Sequence, residues 1–258
     1  MPGITAFICC LAAGLHAACF GAYKDSPHES FLLKRFVREL LIAWIVGFGF
    51  FISGIWETEN CLVLYLSAFT VTRVITEFWK LNLRVEPQGQ FRIPTQIHVL
   101  GKVVHHRGLR ILLGLVTPAV ITGVYFVSVH LPASLPPPVR GLVVGLLIGL
   151  ADASGGAYKD GFIEGFYLRK FLKSASYGPL GGFVLSFYTS HPLFHLLATI
   201  GFMRMFLELI YKILVDDYVP GKFKSMKARY PEWLKDRKWF LFPYALTWTL
   251  FVVFLMVR

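Results

Sequence analysis

The residues with the clearest chemical potential come in pairs. Lys24-Asp25 is followed by Glu29 and Lys159-Asp160 by Glu164 at the same spacing, inside a string Gly-Ala-Tyr-Lys-Asp that begins at Gly21 and again at Gly156. A lysine ammonium donates charge-assisted hydrogen bonds to phosphate oxygens. Asp25 or Asp160 beside it can orient that lysine, hold a divalent cation such as Mg2+ that accompanies the phosphate, or act as a base. Ser26-Pro27-His28-Glu29 also has capping-box spacing, with Ser26 as N-cap, Pro27 at the first helical position and Glu29 reaching back; Gly161 and Glu164 take these roles in the second copy. A helix starting there would aim free backbone N–H groups and a partial positive charge at an anion beside each lysine. The plainer alternative is that Glu29 and Glu164 only cap helices, while Lys-Asp only closes a turn.

A second set lies in apolar surroundings. Arg73 and Glu77 stand one helical turn apart, as do Arg204 and Glu208. A charge at mid-bilayer costs about 2.5–3.5 kcal/mol on insertion scales. Both pairs are therefore expected to face protein, either as self-neutralising i,i+4 pairs or as part of a binding or proton-coupling site. Asp152 occurs in one copy alone, since Ala17 holds its matched position, and His16 is matched by Ala151. Asp152 is read either as a ligand-binding group or as an acid satisfied by Ser154 or a basic neighbour. The candidate ligand-binding set is thus Lys24, Asp25, Glu29, Lys159, Asp160, Glu164, Arg73, Glu77, Arg204, Glu208 and Asp152, and no catalytic residue is singled out.

The elements that must position these residues are membrane helices. Of 258 residues, 55% are hydrophobic and 16% charged, too apolar for a soluble domain of this size. Across 11–36 against 146–171 half the positions are identical, Lys, Asp and Glu among them, so the chain reads as a tandem duplication. Residues 3–20 lack a positive n-region, and their counterpart 139–155 lies mid-chain, so both are expected to be membrane spans rather than a cleaved leader. Further spans are expected at 40–56, 61–79, 109–131, 177–189, 191–214 and 239–257. Gln88-Gly-Gln-Phe-Arg92 and Pro220-Gly-Lys-Phe-Lys224 occupy matching basic connections.

The fold expected is an all-α integral membrane protein of eight transmembrane helices. It forms two parallel four-helix repeats, 1–130 and 139–258, related by a pseudo-two-fold along the membrane normal and joined by the Pro-rich linker 131–138. Lys and Arg crowd 21–39, 80–110, 156–175 and 212–238, whereas the opposite face has little beyond Arg140 and Arg258. The basic loops are accordingly expected to be cytoplasmic and both termini outside. The net charge of +11 attracts anionic lipid headgroups or phosphorylated ligands. Lys34, Arg35 and Arg38 are expected to meet water or headgroups. The spans 40–56 and 177–189 are short, and Gly178-Pro179-Leu180-Gly181-Gly182 is expected to break the second, a pattern associated with binding sites in repeat-built transporters.

Other signatures are weak. Cys9, Cys10, Cys19 and Cys61 form no Cys-x-x-Cys pair and suit small packing positions. His191 and His195 have helical i,i+4 spacing, but no third metal-ligand type lies close by in sequence. His105-His106 reads as a solvated pair. The common catalytic motifs are missing from the sequence, and nothing in it points to nucleic acid. The reading that joins most features is a transporter or flippase for an anionic, phosphate-bearing solute or lipid, with membrane lipids as partners. A lipid-active enzyme at the cytoplasmic interface and a non-catalytic subunit of a larger membrane complex or homo-oligomer are the alternatives.

Overall fold

A computed structural model describes residues 2–91, 93, 95–99, 101–215 and 226–257. Arg92, the stretch 220–224 and Arg258 lie outside the described residues. The chain begins with α1 (Pro2–Glu29) and α2 (Leu33–Ile52), then α3 (Cys61–Phe78), which continues through a π-helical turn at Trp79–Leu83. A two-stranded antiparallel hairpin, β1 (His98–Val99) with β2 (Lys102–Val103), precedes α4 (Arg107–Gly114) and α5 (Val116–His130). Next come α6 (Pro137–Glu164), α7 (Leu168–Leu185) and α8 (Pro192–Glu208), the last again running into a π-helical turn at Leu209–Leu214. The short α9 (Trp233–Asp236) leads into α10 (Leu241–Met256).

Among the described residues, six helices are long and apolar enough to cross a membrane: Gly3–Glu29, Cys61–Leu83, Arg107–His130, Pro137–Glu164, Pro192–Leu214 and Trp233–Met256. The all-α, multi-pass membrane character read from composition therefore holds. The helices α2 and α7 are not among the six, because basic residues occupy their first turns.

Two of the expected helix boundaries are corrected. Ser26 and Gly161 are not N-caps: α1 runs on through Pro27 to Glu29, α6 runs on to Glu164, and the next helices start at Leu33 and Leu168. What ends each helix is a left-handed residue, Ser30 (φ 61°) and Gly165 (φ 79°). Its N–H donates back to the carbonyl of Ser26 (3.0 Å) or Gly161 (2.8 Å). A positive φ at this position carries the chain out of the helix, a conformation glycine adopts without steric cost. Gly165 carried that signal in the sequence, but Ser30 in the other copy hid it. Nor does the glycine-proline run interrupt the seventh helix, since α7 is continuous through Pro179.

Those glycines instead bring backbones together. Gly141, Gly145 and Gly149 of α6 lie against Gly182, Gly178 and Ser174 of α7, so close that a Cβ on Gly145 would strike the Gly178 carbonyl oxygen. Helices in lipid associate through such small-residue seams, because lipid tails are as apolar as leucine and only close contact discriminates. The seam between α1 and α2 has the same design with slightly larger residues: a Cβ on Gly14 would lie 2.5 Å from that of Ala43, and one on Gly47 3.0 Å from that of Cys10. The main apolar core joins α1, α3, α8 and α10 through Leu62, Leu66, Phe69, Phe194, Phe202 and Phe251. Gly201 lets α8 approach the Leu66 carbonyl of α3, and Thr70 Oγ1 donates to the Leu197 carbonyl across that contact (2.7 Å). Cys9, Cys10 and Cys19 are buried free thiols.

Candidate functional site

The ends of α1 and α6, the starts of α2 and α7, and the π-helical ends of α3 and α8 surround a cavity of about 1100 Å³. Ten of the eleven residues singled out from sequence line it: Lys24, Asp25 and Glu29 from α1; Asp152, Lys159 and Asp160 from α6; Arg73 and Glu77 from α3; and Arg204 and Glu208 from α8. The remaining one, Glu164, pairs with Lys170, which does line the wall.

Electrostatics within the cavity differ from the local pairs expected. Arg73 does not pair with Glu77, nor Arg204 with Glu208, among the described ion pairs. Arg73 Nη2 lies 3.5 Å from Glu208 on α8, and Arg204 pairs with Asp152 on α6. Glu77 takes Lys159 Nζ at 2.7 Å and Lys80 at 3.5 Å. The physical reason is geometric: α3, α6 and α8 face one another around the cavity, so a partner on a neighbouring helix neutralises each charge while also holding the bundle together. Asp152 is thus satisfied by a basic neighbour.

Glu29 and Glu164 likewise cap no helix start. Glu29 accepts from Arg35 (2.8 Å) and Glu164 from Lys170, clamping the sharp bend between successive helices in both copies. Lys170 also lies 3.4 Å from Asp160, and Lys24 lies 3.5 Å from Asp25. Because both Lys-Asp pairs sit in the last turns of their helices, the backbone there offers carbonyl oxygens and a partial negative charge. Beside each Lys-Asp pair an anion would therefore meet side-chain cations rather than the helix N-terminus expected there.

Sequence reasoning missed several contributors. Arg35 and Arg38, expected to face water or headgroups, turn into the cavity, as do Lys170 and Lys173; the amphipathic first turns of α2 and α7 do not reveal which polar flank looks inward. Arg38 pairs with Glu39, whose other oxygen accepts from Thr76 Oγ1 at 2.7 Å. The β1–β2 hairpin covers the second motif, where His98 Nε2–H donates to the Lys159 carbonyl (3.0 Å) and Tyr158 donates to the His98 carbonyl (3.1 Å). Over the first motif, Tyr230 N–H donates to the Pro27 carbonyl (3.0 Å) and Arg237 lies over the Tyr23 ring at 4.5 Å. Beyond the π-helical turn, burial lowers the Arg84 guanidinium from its usual range while Glu86, at 3.1 Å, opposes the shift.

Among the described residues, eleven Lys and Arg side chains against seven Asp and Glu line the cavity, a formal excess of four positive charges. The remaining wall is largely apolar. Among the described residues no group of three or more His, Cys, Asp and Glu could hold a metal ion. Asp25 and Asp160 are engaged with lysines, which supply the shielding that a divalent cation would otherwise provide. His195 Nε2–H donates to the Gly182 carbonyl (2.9 Å) and His191 lies against Phe194, so these two histidines serve packing. His106 caps α4, accepting from Leu109 N–H at 3.2 Å. His16 does not line the cavity; it is wholly buried beside Tyr65 and Thr247, at 3.0 Å from each.

No protein family, curated protein or solved structure matches the chain.

Proposed function

We propose that the protein is a transporter or flippase for an anionic, phosphate-bearing solute or lipid, which it holds in the charged cavity. One observation carries this reading: charged residues scattered along both halves of the chain converge on a single large cavity whose wall has an excess of cationic groups. Arginine has five donors in a rigid fork, so the single acid partner of Arg73 or Arg204 leaves donors for a phosphate. Ion pairs that bridge two helices can exchange an internal carboxylate for a ligand anion during a transport cycle.

The proposed architecture has eight spans, with α2 and α7 added to the six longer ones, arranged as two four-helix repeats about an axis along the membrane normal. Supporting it, α1 and α6 are both 28 residues long, and α3 and α8 both end in π-helical turns. The contacts of α1 with α2 and α3 are paralleled by those of α6 with α7 and α8, while α5 packs on α6 and α10 on α1. The fourth helix of each proposed repeat thus leans on the first helix of the other. The basic loops are proposed to be cytoplasmic and both termini outside, following the positive-inside bias.

The test is reconstitution in sealed vesicles, with uptake of radiolabelled organic phosphate and exposure of a fluorescent phosphatidic acid to an impermeant quencher measured in parallel. At least one rate is expected to exceed that of protein-free vesicles and to fall about tenfold or more with Arg73→Gln. Rates equal to those of protein-free vesicles in both assays would reject transport.

A further inference from the structure

The cavity has two chemically different ends. Charged groups of α1, α3, α6 and α8 crowd the interior, but toward α5 the wall becomes Leu113, Val116, Val120, Ile121 and Val124. Val74, Ile75 and Trp79 of α3 and its π-helical turn add further apolar wall. Several of these wall side chains are well exposed: Ile75 42%, Trp79 48%, Val116 58% and Val120 42%. Both helices are apolar and long enough to cross a membrane, and the exposed apolar wall points to an opening of the cavity between α3 and α5.

The looseness of α5 explains the opening. It has no buried residue, whereas α10 buries Tyr244, Thr247, Phe251 and Phe254. Between α8 and α10 the seam is filled by Phe206 against Trp248 (5.2 Å between ring centroids) and Phe251 (5.9 Å), with Phe202 stacked on Phe206 at 4.4 Å. At its cavity edge α5 offers instead Val116, Thr117 and Val120, too small to close a comparable gap.

We infer that this opening admits a phospholipid: the ligand is an anionic lipid whose phosphate lies among Lys24, Arg73 and Arg204 and whose acyl chains leave between α3 and α5. The inference rests on the anion-binding reading of the cavity and narrows its ligand class. A water-soluble phosphate needs cations but no apolar exit, and in a bilayer such an exit is filled by hydrocarbon, since water there would face aliphatic side chains. An anionic lipid satisfies both ends of the cavity at once.

The experiment compares dioleoyl phosphatidic acid with glycerol 3-phosphate, which shares its phosphate chemistry but lacks acyl chains. The protein is placed in phosphatidylcholine nanodiscs, lipid retention is read by native mass spectrometry, and glycerol 3-phosphate binding is read by calorimetry. Phosphatidic acid is expected to be retained over phosphatidylcholine, and Arg73→Gln to weaken both ligands. Closing the exit with Ile75→Trp and Val120→Trp is expected to lower phosphatidic acid retention about tenfold while glycerol 3-phosphate binding stays within about twofold. Both side chains are surface-exposed, so enlarging them does not overpack the core. A phosphatidic acid with a photoreactive acyl chain provides a test without substitution, since its crosslinks are expected on the peptides holding Ile75 and Val116. Binding of glycerol 3-phosphate without phosphatidic acid, an unaltered lipid retention in the closed variant, or crosslinks elsewhere would overturn the lipid inference and leave the anion site standing. Binding of neither ligand would remove both.

Discussion

Arg73 and Glu208 show how single charges are tolerated in this bundle. Their side chains are 23% and 10% exposed, and each faces a helix from the other half of the chain. Removing one member of a buried ion pair leaves a charge without compensation, which costs more than the pair itself contributes. Arg73→Gln is therefore expected to destabilise the protein by about 3 kcal/mol. Adding Glu208→Gln should recover most of that loss. Thermal unfolding in a mild detergent checks both; a double variant as unstable as the sum of the two singles would mean that Arg73 and Glu208 are not coupled.

The seam of α6 with α7 depends on glycine, because the two backbones touch at Gly145 and Gly178. A methyl group there has no flexible neighbour to displace, only a backbone carbonyl. Gly145→Ala is expected to cost about 1–3 kcal/mol through helix separation. Gly49 in α2 offers the contrast, since a Cβ there meets nothing within 4 Å. At that site alanine should stabilise by up to about 1 kcal/mol through helix propensity. Midpoints of unfolding for the two variants moving in the same direction would contradict the close-contact account of the seam. The left-handed residues Ser30 and Gly165 complete the picture of these helices, turning the chain so that Arg35 and Lys170 come back to Glu29 and Glu164.

Taken as a molecule, the protein gathers its basic connections at one end of the bundle in the proposed topology, with the cavity opening beside them. Single cysteines at Lys102 and Lys235, both exposed, in a background with Cys9, Cys10, Cys19 and Cys61 replaced, should react with an impermeant thiol reagent from the cytoplasmic face. A cysteine at Ser134, in the exposed connection before α6, should react from the opposite face. Labelling of positions 102 and 235 from different sides would refute the parallel arrangement. The same arrangement accounts for each motif being covered by a loop from the other half: the hairpin at His98 over Lys159, and Tyr230 over Pro27.

Composition and patterning alone determined that this is a helical, multi-pass membrane protein, because long apolar runs have one stable outcome in a bilayer. The sequence also singled out ten of the residues that line the cavity, because charges such as Asp152, Arg73 and Arg204 are costly in apolar runs and are expected to face protein rather than lipid. It did not determine their partners. Arg73 is far closer in sequence to Glu77, and only the facing of α3 and α8 assigned it to Glu208, since ion pairs follow distance in space rather than along the chain. Ser26-Pro27-His28-Glu29 satisfied a helix-start pattern yet lies at a helix end, because the left-handed Ser30 and the clamp from Arg35 to Glu29 outweigh a local capping preference worth about 1 kcal/mol. The opening between α3 and α5 was likewise invisible beforehand: it arises from how loosely one apolar helix leans on its neighbours, and all such helices look alike until their packing is formed.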